Sequence, residues 1–227
     1  MLNKEVTVLV PAYNEEDKIG DTISSLQQLE DVNEIIVIND GSTDKTVNIV
    51  KEFKDIKLID LKINQGKGEA LNQGLSEIKG QIISLIDADL GKTALELRKL
   101  LKPVLQQEVD MTIAKFPAPK KKGGFGLVTT LARVGLKIFT GLQFDSPLSG
   151  QRVLTKNLIS YLNGFESGFG VEVGMTIKTI KGGFKVKEVP VNMSHQETGR
   201  DWMGFKHRGR QFKDVLTVFL SQIQGGK

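Results

Sequence analysis

A chain of 227 residues with 39% hydrophobic content can bury one substantial core and is short for two equal domains. It has no cysteine, which excludes a disulfide framework and a thiolate metal site and suits the cytosol. No window reaches the ~18 apolar residues of a membrane span, and the formal charge of +4 with a pI near 9.1 points only weakly to an anionic partner.

Strand-like and helix-like runs alternate through the first half, which predicts parallel βαβ units. "EVTVLVP" (5–11) reads as a strand reached almost at once, without the long apolar core of a secretion signal. Ile19, Ile23, Leu26 and Leu29 then repeat at helical spacing. "EIIVIND" follows as a strand, "STDKTVNIVKEF" as a helix capped by Ser42 or Thr43, and "IKLIDL" as a strand. Next come a helix over 67–78, the strand "QIISLIDADL", a helix over 94–107 and the strand "DMTIAK". The turn-rich, basic "FPAPKKKGG" (116–124) separates this half from the rest. Beyond it, "FGLVTTLARVGLKIFTGL" predicts a helix with Phe125, Val128, Ala132, Leu136 and Phe139 on one face and Arg133 and Lys137 on another. "FKDVLTVFLSQI" spaces Phe212, Val215, Leu216, Phe219, Leu220 and Ile223 in the same way. Both helices read as core-facing, with a membrane-surface role as the lesser reading.

Open α/β sheets bind ligands beyond the carboxyl ends of their strands, and there the polar residues gather. Strand one ends in "VPAYNEE", strand two in "NDGSTD", the third leads into "NQGKGEA", and the fourth ends in "DADL". Any one of them alone fits a helix cap equally well; four at one edge do not. The GxGxxG fingerprint is missing, and "LGKT" (90–93) is no P-loop, because Ile86 stands where that motif needs glycine. Asp87 and Asp89, two apart on a strand, are expected on one side at roughly 6 to 7 Å, with a repulsion on the order of 2 to 3 kcal/mol. A nucleotide diphosphate with a divalent ion fits: hard carboxylate oxygens suit Mg²⁺ or Mn²⁺, and Lys67 can meet a phosphate as a point charge.

"VPAYNEE", "NDGSTDKT", "GKGEAL" and "DADL", followed by "PLSGQR", "GFGVEVGM" and "VPVNMSH", resemble the family 2 type glycosyltransferases of GT-A fold over nearly the whole chain. Within that group the set is most similar to the glucosyl-3-phosphoglycerate synthases. The resemblance implies an α/β, Rossmann-like GT-A fold with a mixed, mainly parallel sheet flanked by helices. Pro11, Ala12, Tyr13 and Glu15 would cradle the uracil and ribose, Asp40 would contact the base or ribose, and Lys67 would approach the nucleotide. Asp87 and Ala88 would line the sugar, Asp89 would bind the metal, and His195 would complete the metal site. Glu172 would lie near the sugar or acceptor, as base or as orienting carboxylate. Asp87 and Glu172 are the candidate catalytic residues; Gly124, Arg152 and Glu172 are the candidate acceptor-binding ones.

The resemblance breaks at the acceptor. Where phosphoglycerate-using relatives carry a "GGR" loop, this chain reads "GGFGLVTT" with Phe125 at the arginine position, and Glu197 replaces an expected asparagine. "DSPLSGQR" loosely resembles an acidic-to-arginine motif of polyprenyl-phosphate sugar synthases, in which Arg152 would meet a lipid phosphate or else pair with Asp145. Trp202 and Phe205, in the loop after His195, are candidates to close over the donor.

The expectation is therefore one GT-A domain over 1–227, with a nucleotide-binding half (1–115) and an acceptor-binding half (116–227). It would transfer a hexose, glucose by preference, from a UDP-sugar with Mg²⁺ or Mn²⁺, to a phosphorylated small molecule or a polyprenyl phosphate. The alternatives are a silent nucleotide-sugar-binding protein at the membrane surface and a nucleotidyltransferase. Expected partners are the donor and an unidentified acceptor, without nucleic acid. Peripheral contact with the inner membrane face by "PKKK" and "KHRGRQFK" and a homodimer are left open, in a cytoplasmic setting.

Overall fold

The side chains of Val6–Ala12 (β1) alternate between two apolar clusters: Val8 and Val10 join one and Leu9 the other. Val32–Asp40 (β2) divides likewise, with Ile35 and Val37 on the first side and Ile36 and Ile38 on the second. A strand buried on both faces reads as an almost unbroken apolar run, the mark of a sheet sandwiched between helix layers. The computed structural model describes residues 5–117, 126–165, 171–194 and 216–220.

Among these the chain runs β1, α1 (Ile19–Gln27), β2, α2 (Thr46–Lys51), β3 (Ile56–Leu61), α3 (Lys67–Leu75) and β4 (Ile82–Leu85). A 3-10 segment (Ala88–Glu96) leads into α4 (Leu97–Leu105) and β5 (Met111–Lys115). Then follow α5 (Leu127–Thr140), β6 (Arg152–Thr155), α6 (Lys156–Leu162), α7 (Val171–Lys181) and β7 (Val186–Pro190). The strands form a seven-stranded sheet in the order β3-β2-β1-β4-β6-β5-β7. Only β6 runs against its neighbours, pairing antiparallel with β4 and β5. The mixed, mainly parallel sheet expected from the resemblance is the one observed. The chain leaves β1 for β2 on one side while β4 lies on the other, and a crevice opens beyond strand ends where such an order reverses. α1 and α4 cover the first sheet face; α3, α5, α6 and α7 cover the second.

Several local expectations are corrected. β4 stops at Leu85, so Asp87 and Asp89 do not share a strand. Asp87 is extended and Asp89 lies in the first 3-10 turn, because Thr22 of α1 grips that turn. Its hydroxyl donates to Ala88 O (2.7 Å) and accepts from Gly91 N (2.8 Å). Gly91 bends the segment at φ 52 and ψ −138, a backbone only glycine adopts readily, so the glycine of "LGKT" serves a kink. The helix expected from residue 94 accordingly becomes regular only at Leu97. β6, Arg152–Thr155, was not anticipated, because four residues are too short for a period to show. In α5, Ala132 and Leu136 are buried while Arg133 and Lys137 are exposed, as the periodicity predicts. Residues 216–220 are helical, but Val218 and Phe219 turn inward and Leu216 and Leu220 outward. The reason is a stack of Phe219 on Phe139, with ring centroids 5.4 Å apart, above Gly135.

Candidate active site at the sheet switch point

Two loops at the ends of β1 and β2 are stitched together by short polar side chains. Asn14 N donates to Ser42 Oγ (2.9 Å), Thr43 N to Asn14 Oδ1 (2.8 Å) and Glu15 N to Thr46 Oγ1 (2.8 Å). Ser42 and Thr43 are therefore not the cap of α2, which begins at Thr46, with Asp44 Oδ1 accepting from Thr46 N at 2.9 Å. Ala12 is buried, Pro11 and Glu15 are half-buried and Tyr13 is exposed, so this segment forms one wall of the crevice with the Tyr13 ring at its rim.

Asp40 closes β2. Its two carboxylate oxygens accept from Gln65 N (2.7 Å) and Gly66 N (2.8 Å), and the residue is buried. Asp40 thus holds the loop that starts α3, and each of its oxygens keeps a second lone pair for the base or ribose contact that the resemblance implies. The next residue, Lys67, is the first of α3.

Lys67 reaches across to Asp87, Nζ to Oδ1 2.6 Å, and lies 3.4 Å from Oε1 of Glu172. Burial disfavours the ammonium, but Asp87 and Glu172 outweigh it and hold Lys67 protonated well above its usual range. Asp87 Oδ2 accepts from Gln151 Nε2 at 2.7 Å. Gly150 floors the arrangement, since a Cβ there would sit 2.2 Å from Lys67 Nζ and 3.1 Å from Asp87 Oδ2. The first turn of α7 brings Glu172 from the far half of the chain.

Asp89 lies two residues beyond Asp87, in the first 3-10 turn. Its Oδ1 is buried, and its charge acts on Glu15, whose carboxyl is pushed up to about 7 by burial first, then by Asp89 and Asp87. The carboxylate repulsion expected from the sequence is offset at Asp87 by a lysine and an amide, while Asp89 and Asp87 add to the effect of burial in raising Glu15. Among the described residues no three His, Cys, Asp or Glu side chains converge as a closed metal site. A hard, electronegative pocket with one committed carboxylate suits an ion bound mainly through a ligand's phosphates, since Mg²⁺ is usually held by one or two carboxylates plus phosphates and water.

Arg152 is corrected as an acceptor contact. It is fully buried, donating from Nε to Ser149 O (2.9 Å) and from Nη1 to Thr176 Oγ1 (2.9 Å), with burial lowering its pKa to about 10. The Thr176 hydroxyl donates in turn to Glu172 O (2.7 Å), so Arg152 braces α7 from behind the site. The pairing of Arg152 with Asp145 is not observed either; Asp145 pairs with Lys115, and its carbonyl accepts from Arg133. Gln151, which the sequence reading passed over, is the residue of "PLSGQR" that points to the site. The alternation of side chains along an extended segment was the available signal, because neighbours cannot both face the crevice. Gly124, Phe125, His195, Glu197, Trp202 and Phe205 lie outside the described residues.

Over 88 residues the chain is 43% identical to a poly-beta-1,6-N-acetyl-D-glucosamine synthase of Staphylococcus epidermidis, a match spanning 37% of this chain but only 21% of that protein's length. An uncharacterized protein of Methanocaldococcus jannaschii is 33% identical over 212 residues, covering 86% of this chain and 84% of its own. Among solved structures, glucosyl-3-phosphoglycerate synthase from Mycobacterium tuberculosis in complex with Mn²⁺, UDP and glucosyl-3-phosphoglycerate superposes with a TM-score of 0.79 at 27% identity. That match covers 96% of this chain and 79% of the synthase. The family model "Glycosyl transferase family 2" matches residues 7–162, from β1 through α6 and so through every wall of the crevice except Glu172; this chain belongs to glycosyl transferase family 2.

Proposed function

We propose that the chain transfers a hexose, glucose by preference, from UDP to an acceptor in the crevice between the ends of β1 and β4. The observation that carries the reading is the fixed ammonium of Lys67, held between Asp87 and Glu172. An ammonium has three donors, so Lys67 can keep both carboxylates and still present one to a phosphate oxygen of the departing nucleotide. The complex of the structurally similar synthase with Mn²⁺, UDP and a glucosylated product supports the donor class.

Pro11, Ala12 and Tyr13 would line the base and Glu15 the ribose. Ala88 and Asp87 would border the sugar, Asp87 being held for that task by Lys67 and Gln151. Asp89 and His195 would hold Mg²⁺ or Mn²⁺, which when bound supplies positive charge against the leaving diphosphate. Glu172, on the acceptor side of Lys67, would accept the proton of an attacking hydroxyl or orient it. Phe125 and Glu197 replace a cation by a ring and an amide by a carboxylate, which favours an acceptor other than 3-phosphoglycerate, with a polyprenyl phosphate as the alternative.

The test is UDP release from a panel of nucleotide sugars with Mn²⁺, each scanned against 3-phosphoglycerate and polyprenyl phosphate. Expected is turnover with a UDP-hexose that EDTA abolishes and Asp89→Ala lowers by on the order of a hundredfold or more. Metal-independent donor binding unaffected by Asp89→Ala would refute the reading, and faster turnover of 3-phosphoglycerate than of the lipid would refute the acceptor assignment.

A further inference from the structure

The inner side of α5 packs through Ala132, Gly135 and Leu136. Its outer side is not polar. Leu127, Val134, Ile138 and, just past the helix end, Leu142 are 63%, 51%, 73% and 48% exposed. They follow one another at spacings of seven, four and four, a single stripe along the helix. Residues 216–220 lie against α5 through the Phe139–Phe219 stack and add Leu216 and Leu220, 39% and 50% exposed. Scattered exposed leucines need no explanation, but six large aliphatic side chains on two touching segments do.

The charges within these two segments have one sign. Arg133 and Lys137, one helical turn apart, are exposed at its border. No Asp or Glu occurs in 127–144 or in 216–227, and "PKKK" (119–122) and "KHRGRQFK" (206–213) precede the two segments in sequence. A second copy of the chain is a poor occupant, because a two-fold contact would set Arg133 and Lys137 near their own copies, and Asp145, the carboxylate beside Arg133, is already paired with Lys115. An anionic bilayer satisfies both features: acyl chains take the aliphatic stripe and headgroups take the cations.

We propose that the outer face of α5 and residues 216–220 is a docking surface for an anionic lipid bilayer. No described helix is long and apolar enough to cross a membrane; the contact proposed for α5 is with the bilayer surface. α5 packs on α7, and α7 carries Glu172 in its first turn, so the docking helix is one element removed from the crevice. The inference stands apart from the nucleotide-sugar reading.

The experiment is co-sedimentation of the full chain with vesicles of phosphatidylcholine alone or mixed with phosphatidylglycerol. The expected result is partition onto the anionic vesicles that falls as salt rises. Val134→Glu/Ile138→Glu lowers the partition coefficient by about tenfold or more, and Lys137→Glu, which reverses one charge, lowers it by on the order of tenfold. These side chains are exposed, so thermal melts are expected to stay unchanged; should the double variant fold poorly, Lys137→Glu alone decides. The proposal is overturned if the wild-type chain stays in the supernatant at low salt, if it binds neutral and anionic vesicles alike, or if Lys137→Glu binds like wild type. A dimer in light scattering that Ile138→Glu dissociates would give the face to a second copy and would overturn it as well.

Discussion

Lys67 Nζ and Asp87 Oδ1 stand 2.6 Å apart across the mouth of the crevice, one at the start of α3 and the other just past β4. The pair is partly open to solvent, and Glu172 shares the same ammonium. Its geometry is over-determined: Asp40 fixes the loop before Lys67, and Gln151 fixes the second oxygen of Asp87.

Removing the ammonium leaves two carboxylates facing each other. Lys67→Met is expected to destabilise the protein by ~1–3 kcal/mol and to weaken UDP-sugar binding. Adding Asp87→Asn should return part of the stability but none of the binding. Denaturant unfolding of both single variants and the double variant gives the coupling; additive losses would mean that the pair does not act as a unit.

Gly150→Ala separates site from fold. The new Cβ would meet the far end of a flexible lysine, which can swing aside. We expect a change in melting free energy within about 1 kcal/mol together with a loss of nucleotide affinity of roughly tenfold. Calorimetric titration with UDP checks this, and unaltered affinity would show that Lys67 does not need this position to meet the ligand.

Asp40→Ala strips two backbone N–H groups of their acceptors in a partly buried setting. The expected cost is ~2–3 kcal/mol, and hydrogen exchange at residues 65 and 66 should quicken more than in the β1–β2 ladder. An Asp40→Ala protein as stable as wild type, with only base recognition changed, would leave Asp40 with the nucleotide contact alone.

Glu15 makes stability depend on pH. Its folded pKa, about 7, lies above the ordinary 4.5, so the folded state binds its proton more tightly than the unfolded chain does. The associated stability is complete below about 4.5 and is lost as the pH rises to about 7 and beyond. Glu15→Gln should therefore leave the melting curve near pH 4.5 almost unmoved and raise stability at pH 8. Allowing for partial solvent access, the gain is on the order of 1–2 kcal/mol. Thermal melts of both proteins across that range test it; parallel profiles would mean that Glu15 ionises normally.

Much of the site was legible before any coordinates. "VPAYNEE", "NDGSTD", "NQGKGEA" and "DADL" stand at or just past strand ends because each follows an apolar, strand-like run, and the chain order of a parallel sheet brings such ends to one edge. That logic holds for Glu15, Lys67, Asp87 and Asp89. It says nothing of what each side chain faces: Arg152 is turned to the fold's own backbone and to α7, and Asp40 also holds the loop before α3.

By itself, the amino-acid sequence determined the two-sided burial of the strands, the helical stripes of α1 and α5, and the placing of carboxylates and a lysine at the carboxyl edge, because period and composition are local properties. Only the tertiary structure decided how the negative charge is shared out. Gln151 and Glu172 arrive at Asp87 and Lys67 from positions 64 and 105 residues further along the chain, and Thr22 of α1 bends the segment holding Asp89 away from the strand. Those contacts depend on which elements become neighbours in space, and no local pattern encodes that.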